Sequence, residues 1–440
     1  MTVLGIDSLR AEILTPLRNQ RCGLLCNQAS VNRKFVHSRI VLAENPGLQL
    51  TCLFSPQHGF AAEKQDNMIE SQDMLDPALK IPVFSLYGQS RVPSERMFAP
   101  IDVLLVDLQD VGTRVYTFIY TLSYCLEAAL KYNVRVLVLD RPNPVNGIDI
   151  EGNLLASDCK SFVGRFPIPM RHGLTIGELA VLFNDHFDIG CNLEVIPMKG
   201  WKRRMLFADT GLPWIAPSPN LPTPISALVY PGQVLWEGTN VSEGRGTAQP
   251  FELFGAPYID VSKIAAQIEK IAGVLFRPVV FEPTSNKWRE TPCNGFQIHV
   301  MEPLCYRPYK TTLQLLRTIL AEHREQFKWK PPPYEYEFER LPIDLIIGDR
   351  SIRKRLENLE PIDVIETIAL FPEYSVFYQA LIAADIENML DDETQYTFLL
   401  PTNTAFLAFF AEQNITLEDF LDSNLLDEIV QTHIVEGIYT

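Results

Sequence analysis

Through the first 200 residues, apolar runs of strand length alternate with longer amphipathic segments, the pattern of strand and helix layers around a largely parallel sheet. Cys22–Cys26, Leu48–Ser55, Pro82–Tyr87, Val103–Leu108 and Arg135–Leu139 predict strands, and Val36–Glu44 and Tyr116–Lys131 predict helices. The strands are nearly continuous runs such as Val103-Leu104-Leu105-Val106, as expected where helices cover both faces of a sheet. A Rossmann-like, doubly wound layer over 1–255 is the expected fold. Helix and strand patterning resumes at Lys263–Ala272, Gly295–Val300 and Leu313–Glu322, predicting a smaller α/β subdomain over 256–359. Lys330-Pro331-Pro332-Pro333-Tyr334 reads as a stiff extended connection near its end.

Three of these strands run directly into dense polar clusters. Leu53-Phe54 leads into Ser55-Pro56-Gln57-His58-Gly59, Val106-Asp107-Leu108 into Gln109-Asp110-Val111-Gly112-Thr113-Arg114, and Val138-Leu139 into Asp140-Arg141-Pro142-Asn143-Pro144. Open α/β sheets bind ligands at such strand ends, so a shared cleft is implied. From Phe166 to Phe254 the chain is rich in Gly and Pro; long loops of this kind inside a compact protein usually carry function.

Charge divides the chain. The net −16 arises from 38 Lys and Arg against 54 Asp and Glu, yet residues 361–440 hold 15 carboxylates and no Lys or Arg. The last 80 residues are therefore a separate unit, and the near-neutral remainder has no basic stripe, which argues against nucleic acid as a partner. No stretch reaches the ~18 apolar residues of a membrane span. The N-terminal segment lacks a secretory leader pattern and the eight scattered cysteines form no Cys-x-x-Cys pair, so reduced, mostly buried thiols in a cytoplasmic protein are expected.

Absent signatures narrow the chemistry. No dinucleotide fingerprint follows the first strand, and no phosphate loop, zinc-protease motif, nucleophile elbow or metal-ligand spacing occurs, leaving no cofactor or metal implied. The residues that remain are carboxylates, Arg, Tyr and His. His58 can carry a proton or donate to a substrate; Glu63 and Asp66 follow it closely. Asp110, after a buried strand and near Arg114, is open to pKa tuning. Asp140, Arg141 and Asn143 project from a proline-fixed turn. In Ser242-Glu243-Gly244-Arg245-Gly246-Thr247, backbone amides and a guanidinium can converge on an anion. Tyr116, Tyr120 and Tyr124 share one helix face, mostly for packing, with Tyr116 nearest the cleft. Such a set, without a cofactor, suits glycosidic hydrolysis, which needs a protonated acid at the leaving oxygen and a second group at the anomeric centre.

Six motifs occurring in order carry a resemblance: Ser55-Pro56-Gln57-His58-Gly59, the Asp107–Thr117 run, Asp140-Arg141-Pro142-Asn143-Pro144, Arg171-His172-Gly173-Leu174-Thr175, Ser218-Pro219-Asn220-Leu221-Pro222-Thr223 and the Glu237–Thr247 run. Over about residues 3–358 the chain resembles the bacterial exo-β-N-acetylmuramidase family. The resemblance implies a cofactor-independent enzyme that releases N-acetylmuramic acid from the non-reducing end of peptidoglycan fragments during cell-wall turnover, from a cleft between a Rossmann-like domain and a smaller subdomain. It marks position 57, here Gln57, as catalytic, beside the candidates His58, Glu63 and Asp110 read from the residues themselves. For substrate binding it marks Arg114, Tyr116, Asp140, Arg141, Asn143, His172, Asn220, Glu237, Asn240, Glu243 and Arg245, with Arg245 or Arg114 facing the lactyl carboxylate of muramic acid.

One departure matters: where the family has Glu before His-Gly, this chain has Gln57. A carboxamide is no general acid, and losing a positioned proton transfer typically costs ~10²–10⁴ in rate. Three readings stay open: Glu63 or Asp66 takes the role, Asp110 or Glu243 is the acid, or the protein binds muropeptides or mediates adhesion without cleavage. The acidic unit has its own resemblance. Thr367-Ile368-Ala369, Phe377–Leu381, Tyr396–Phe406 and Thr432–Gly437 look like the first part of a fasciclin domain over 360–440, which implies a protein or glycan partner.

Overall fold

The computed structural model describes residues 2–9, 11–88, 90–268, 271–359, 368, 371–384, 386 and 396–436. A seven-stranded sheet organises the N-terminal half: β1 (Arg21–Cys26), β2 (Gln49–Ser55), β3 (Met74–Leu75), β4 (Pro82–Ser85), β5 (Val103–Asp107), β6 (Arg135–Leu139) and β7 (Leu193–Ile196), in the spatial order β3-β4-β2-β1-β5-β6-β7. All neighbours are parallel except the short edge pair β3–β4. From β1 the chain builds outward through β2 to β4, then restarts with β5 on the other flank of β1. That reversal leaves a crevice beyond the carboxyl ends of β1 and β5.

Both faces of the sheet are covered, as the continuous apolar runs require. Along β5, Leu104 and Val106 join one buried cluster while Val103 and Leu105 join another, because successive strand residues point to opposite faces. The first cluster takes in the helix Phe118–Tyr132, and the second takes in Leu4, Ile6 and Leu17. That helix begins after Thr117 rather than at Tyr116, so Tyr116 lies in the loop before it. Tyr116 and Tyr120 are buried, whereas Tyr124 packs its ring under the Arg165 guanidinium at 3.8 Å.

A second sheet, antiparallel in the order β8 (Leu253–Ala256), β10 (Cys293–Val300), β9 (Val274–Phe281), packs with the helices Val261–Ile268 and Pro308–Glu322. The helix expected over Lys263–Ala272 is the first of these; residues 269 and 270 lie outside the described residues. Phe254 of β8 stacks on Trp236 at 5.2 Å and on Phe296 of β10 at 5.6 Å. Since Trp236 directly precedes Glu237, this stack fixes the loop that carries the charged cleft residues.

The acidic unit has a core of its own, built from Phe377, Phe406, Phe410, Phe420 and Val430, under a two-stranded sheet of β11 (Tyr396–Phe398) and β12 (Ile434–Glu436). Thr402 caps the helix Asn403–Gln413, and Asn403 ties that helix to Pro372, Ser375 and Val376. Of its expected motif residues, Thr367, Ala369 and Gly437 lie outside the described residues. Among the described residues, no helix is long and apolar enough to cross a membrane.

Candidate active site

The loop after β2 turns back on itself at His58, whose φ is 72°, and at Gly59. The turn buries both Gln57 and His58. The His58 ring faces the Lys64 carbonyl through Nδ1 at 2.7 Å, and burial pushes its pKa down to about 4. A neutral ring donating from Nδ1 leaves Nε2 as an acceptor. Gln57 is held at both ends of its amide: Thr117 donates to its oxygen at 2.5 Å, while its nitrogen donates to Tyr87 at 3.2 Å and to a carboxylate oxygen of Glu335 at 2.9 Å.

Glu335 is the residue the sequence reading passed over. It sits just past the proline stretch, where Glu335 and Tyr336 take φ of 47° and 65°, a region non-glycine residues enter only when their surroundings hold them there. Tyr87 donates to its second oxygen at 2.5 Å. Burial pushes its pKa up to about 7, with the negative charge of Glu237 adding to the effect. At neutral pH a large share of this carboxyl is protonated.

Glu237 has the opposite setting. It is buried, which works against its charge, but Arg245 at 2.6 Å outweighs burial and holds its pKa below the usual carboxylate range. Tyr334 at 2.7 Å and Asn67 at 3.1 Å donate to its other oxygen. Arg245 also reaches Glu243 at 3.1 Å, and Glu243 in turn takes Lys287 at 2.6 Å. Two buried carboxyl groups whose environments drive their pKa values apart mark an acid and an anion with distinct tasks.

These groups surround two adjoining hollows. One is lined by Gln57, His58, Tyr116, Thr117, Ser218, Asn220, Tyr230, Arg245, Tyr334 and Glu335 among others. The second is lined by Asp66, Asn67, Glu237, Glu243, Arg245, Lys287, Lys330 and Tyr334. Asn67, Arg245 and Tyr334 belong to both. Tyrosine faces beside fixed hydrogen-bond donors suit a sugar ring.

Other sequence candidates lie outside the two hollows, most of them bonded to neighbouring parts of the chain. Glu63 is exposed and leans over Gly59, outside both hollows. Asp110 is buried, accepts from the Gly112 amide at 2.7 Å and faces His172 Nε2 at 3.3 Å. Gly112, at φ 77°, has no room for a Cβ, which would meet Val145 at 2.4 Å and Asn143 at 2.5 Å. Arg114 is wholly buried and donates to the carbonyls of Asn153, Ile168, Ile346 and Ile347, the last two ending the helix Pro342–Ile347. It thereby joins the two halves of the molecule. Asp140 accepts from the Gly177 and Arg141 amides and from Thr175, and burial pushes its pKa up to about 6. Arg141 grips Asp107 at 2.5 and 2.8 Å and lines a separate hollow beside Gln109. Asn143 braces its own turn, and Asn240 is shared among Tyr258, Lys328 and Gln326. Among the described residues, no group of three His, Cys, Asp or Glu is placed to hold a metal ion.

Known proteins match most of the chain. Residues 22–225 match the family described as exo-beta-N-acetylmuramidase NamZ, N-terminal, residues 228–377 its C-terminal counterpart, and residues 372–440 the fasciclin domain. The chain is 43% identical over 356 residues to the peptidoglycan beta-N-acetylmuramidase NamZ of Bacillus subtilis (strain 168), covering 80% of this chain and 84% of that protein. A crystal structure of a DUF1343 family protein from Bacteroides fragilis NCTC 9343 superposes with a TM-score of 0.75 at 31% identity, covering 86% of this chain and 97% of the other. A second such protein from the same organism gives 0.64 at 28% identity, covering 83% and 94%. The chain therefore belongs to the NamZ exo-β-N-acetylmuramidase family, with a fasciclin domain following the family region.

Proposed function

We propose that Glu335 is the general acid of this enzyme, a glycoside hydrolase that releases N-acetylmuramic acid from the non-reducing end of peptidoglycan fragments in cell-wall turnover. The observation that carries the assignment is the 2.9 Å contact between the Gln57 amide and a buried carboxyl whose pKa is raised to about 7. Gln57 occupies the position of the family's usual glutamate and cannot give up a proton. Glu335 supplies, from another loop, the ionisable oxygen that position lacks.

In the reading we favour, protonated Glu335 delivers its proton to the departing glycosidic oxygen. Thr117 and Tyr87 hold Gln57, and Gln57 and Tyr87 hold Glu335, so the donor is fixed before substrate arrives. Glu237, kept ionised by Arg245 in the adjoining hollow, offsets at longer range the positive charge that develops at the anomeric carbon. Tyr116, Tyr230 and Asn220 line the sugar site, and His58, neutral, accepts a sugar hydroxyl. Asp110, Arg114, Asp140, Arg141, Asn143, His172 and Asn240 support the loops rather than touch substrate. Eight free cysteines, seven of them buried, fit action in a reducing compartment such as the cytoplasm.

The test is incubation of the purified protein with N-acetylmuramyl-N-acetylglucosamine. Release of free N-acetylmuramic acid by the wild type, lost in Glu335→Gln, supports the reading. Tight binding of the disaccharide without release would instead favour a muropeptide-binding protein, the alternative that Gln57 raises.

A further inference from the structure

Muramic acid differs from glucosamine by a lactyl ether on O3, two ring carbons away from the anomeric carbon. A site that reads it must offer a cation in a space adjoining the proton donor, not at it. The second hollow meets that condition, sharing Asn67, Arg245 and Tyr334 with the hollow that holds Glu335. Three cations line it, but two are already committed. Arg245 is clamped between Glu237 and Glu243. Lys287 is largely buried, with Glu243 and the carbonyls of Trp236 and Val241 all within 2.8 Å of its nitrogen.

Lys330 is different. Only half-buried, it makes no ion pair among the described residues, and Asp66 across the hollow is hydrogen-bonded by Asn286. Its backbone is anchored by the Lys330 amide donating to Gly238 at 2.9 Å and by the bridge between Thr239 and Trp329. The stem therefore starts from a fixed point on the same loop as Glu335. Resting on the hydrolase reading above, we propose that Lys330 binds the lactyl carboxylate of the muramyl residue and so selects muramyl over glucosaminyl ends. Among the described residues lining this hollow, an ammonium on a flexible stem beside a filled ion-pair network is the cation that a carboxylate can engage without displacing another.

The test compares chromogenic N-acetylmuramides carrying a free lactyl acid or its methyl ester, in the wild type, Lys330→Met and Lys330→Arg. A charge-assisted contact of this kind sets a loss of roughly 10- to 100-fold. The wild type should prefer acid over ester by that factor in kcat/KM, Lys330→Met should abolish the preference, and Lys330→Arg should restore most of it. An undiminished preference in Lys330→Met, with an unchanged melting temperature, would overturn the proposal. If the wild type hydrolyses neither substrate, the hydrolase reading fails by itself. Calorimetric titration with free N-acetylmuramic acid and N-acetylglucosamine then decides on Lys330: selective binding of the former, lost in Lys330→Met, supports it, and equal binding refutes it.

Discussion

Restoring the family's glutamate by Gln57→Glu sets two carboxyl groups against each other. In the native cleft the Gln57 nitrogen lies 2.9 Å from Glu335 and 3.2 Å from the Tyr87 hydroxyl, while Thr117 occupies the Gln57 oxygen. A carboxylate oxygen replacing that nitrogen faces Glu335 directly. Two unit charges 4 Å apart repel by about 4 kcal/mol at an effective dielectric of 20, and one pKa unit corresponds to about 1.36 kcal/mol, so the second ionisation should rise by roughly three units. The pair then shares one proton and titrates as a unit. Native kcat/KM on the disaccharide should fall as pH rises through about 7, where Glu335 loses its proton. In Gln57→Glu that alkaline limb should move well upward, and a second ionisation should appear on the acid side. Stability follows the same sign: with folded-state pKa values raised, the variant loses stability relative to the native protein as pH climbs above the ordinary carboxyl range, and no penalty exists below it. A pH–rate profile superimposable on the wild type's would refute the placement of Glu335 beside position 57.

Arg245→Met should strand Glu237 in a buried site, while Glu243 keeps Lys287, and cost about 3–5 kcal/mol in urea unfolding; a loss under about 1 kcal/mol would show the network to be solvated. Arg114→Met should cost at least about 3 kcal/mol, because four carbonyls lose their donor, and a raised KM with unchanged unfolding would return Arg114 to the substrate site. Glu151 is wholly buried, and burial raises its pKa from 4.5 to about 7. Its contribution to stability is therefore intact below pH 4.5 and is lost as pH rises to about 7. Glu151→Gln should flatten the thermal stability profile in that window, and parallel profiles for variant and wild type would contradict the shift.

The central strands were legible because each is a run long enough to be buried on both faces: β6 matches its expected bounds and β1, β2 and β5 fall within a residue of theirs. Leu193–Ile196 escaped notice since Glu194 interrupts it and only Ile196 is buried, as befits a strand at the sheet edge. The polar strand ends do gather at one side of the sheet, yet most serve the loops. Buried Asp, Arg and Asn at strand ends look alike in sequence whether they face a ligand or a carbonyl, and only the partner distinguishes them. Glu335 was hidden for a different reason. It meets Gln57 across 278 residues, from a proline stretch that resembles a connector. The available signal was an acid between Tyr334 and Tyr336 directly after that rigid stretch, a setting able to bury a carboxyl and hold it.

The most direct measurement compares wild type and Glu335→Gln on two muramyl substrates, the natural disaccharide and a nitrophenyl glycoside whose leaving group departs without protonation. If Glu335 supplies the proton, the variant loses about 10²–10⁴-fold on the disaccharide and keeps most of its rate for aglycone release from the nitrophenyl substrate. Equal losses on both, or none on the disaccharide, would contradict it.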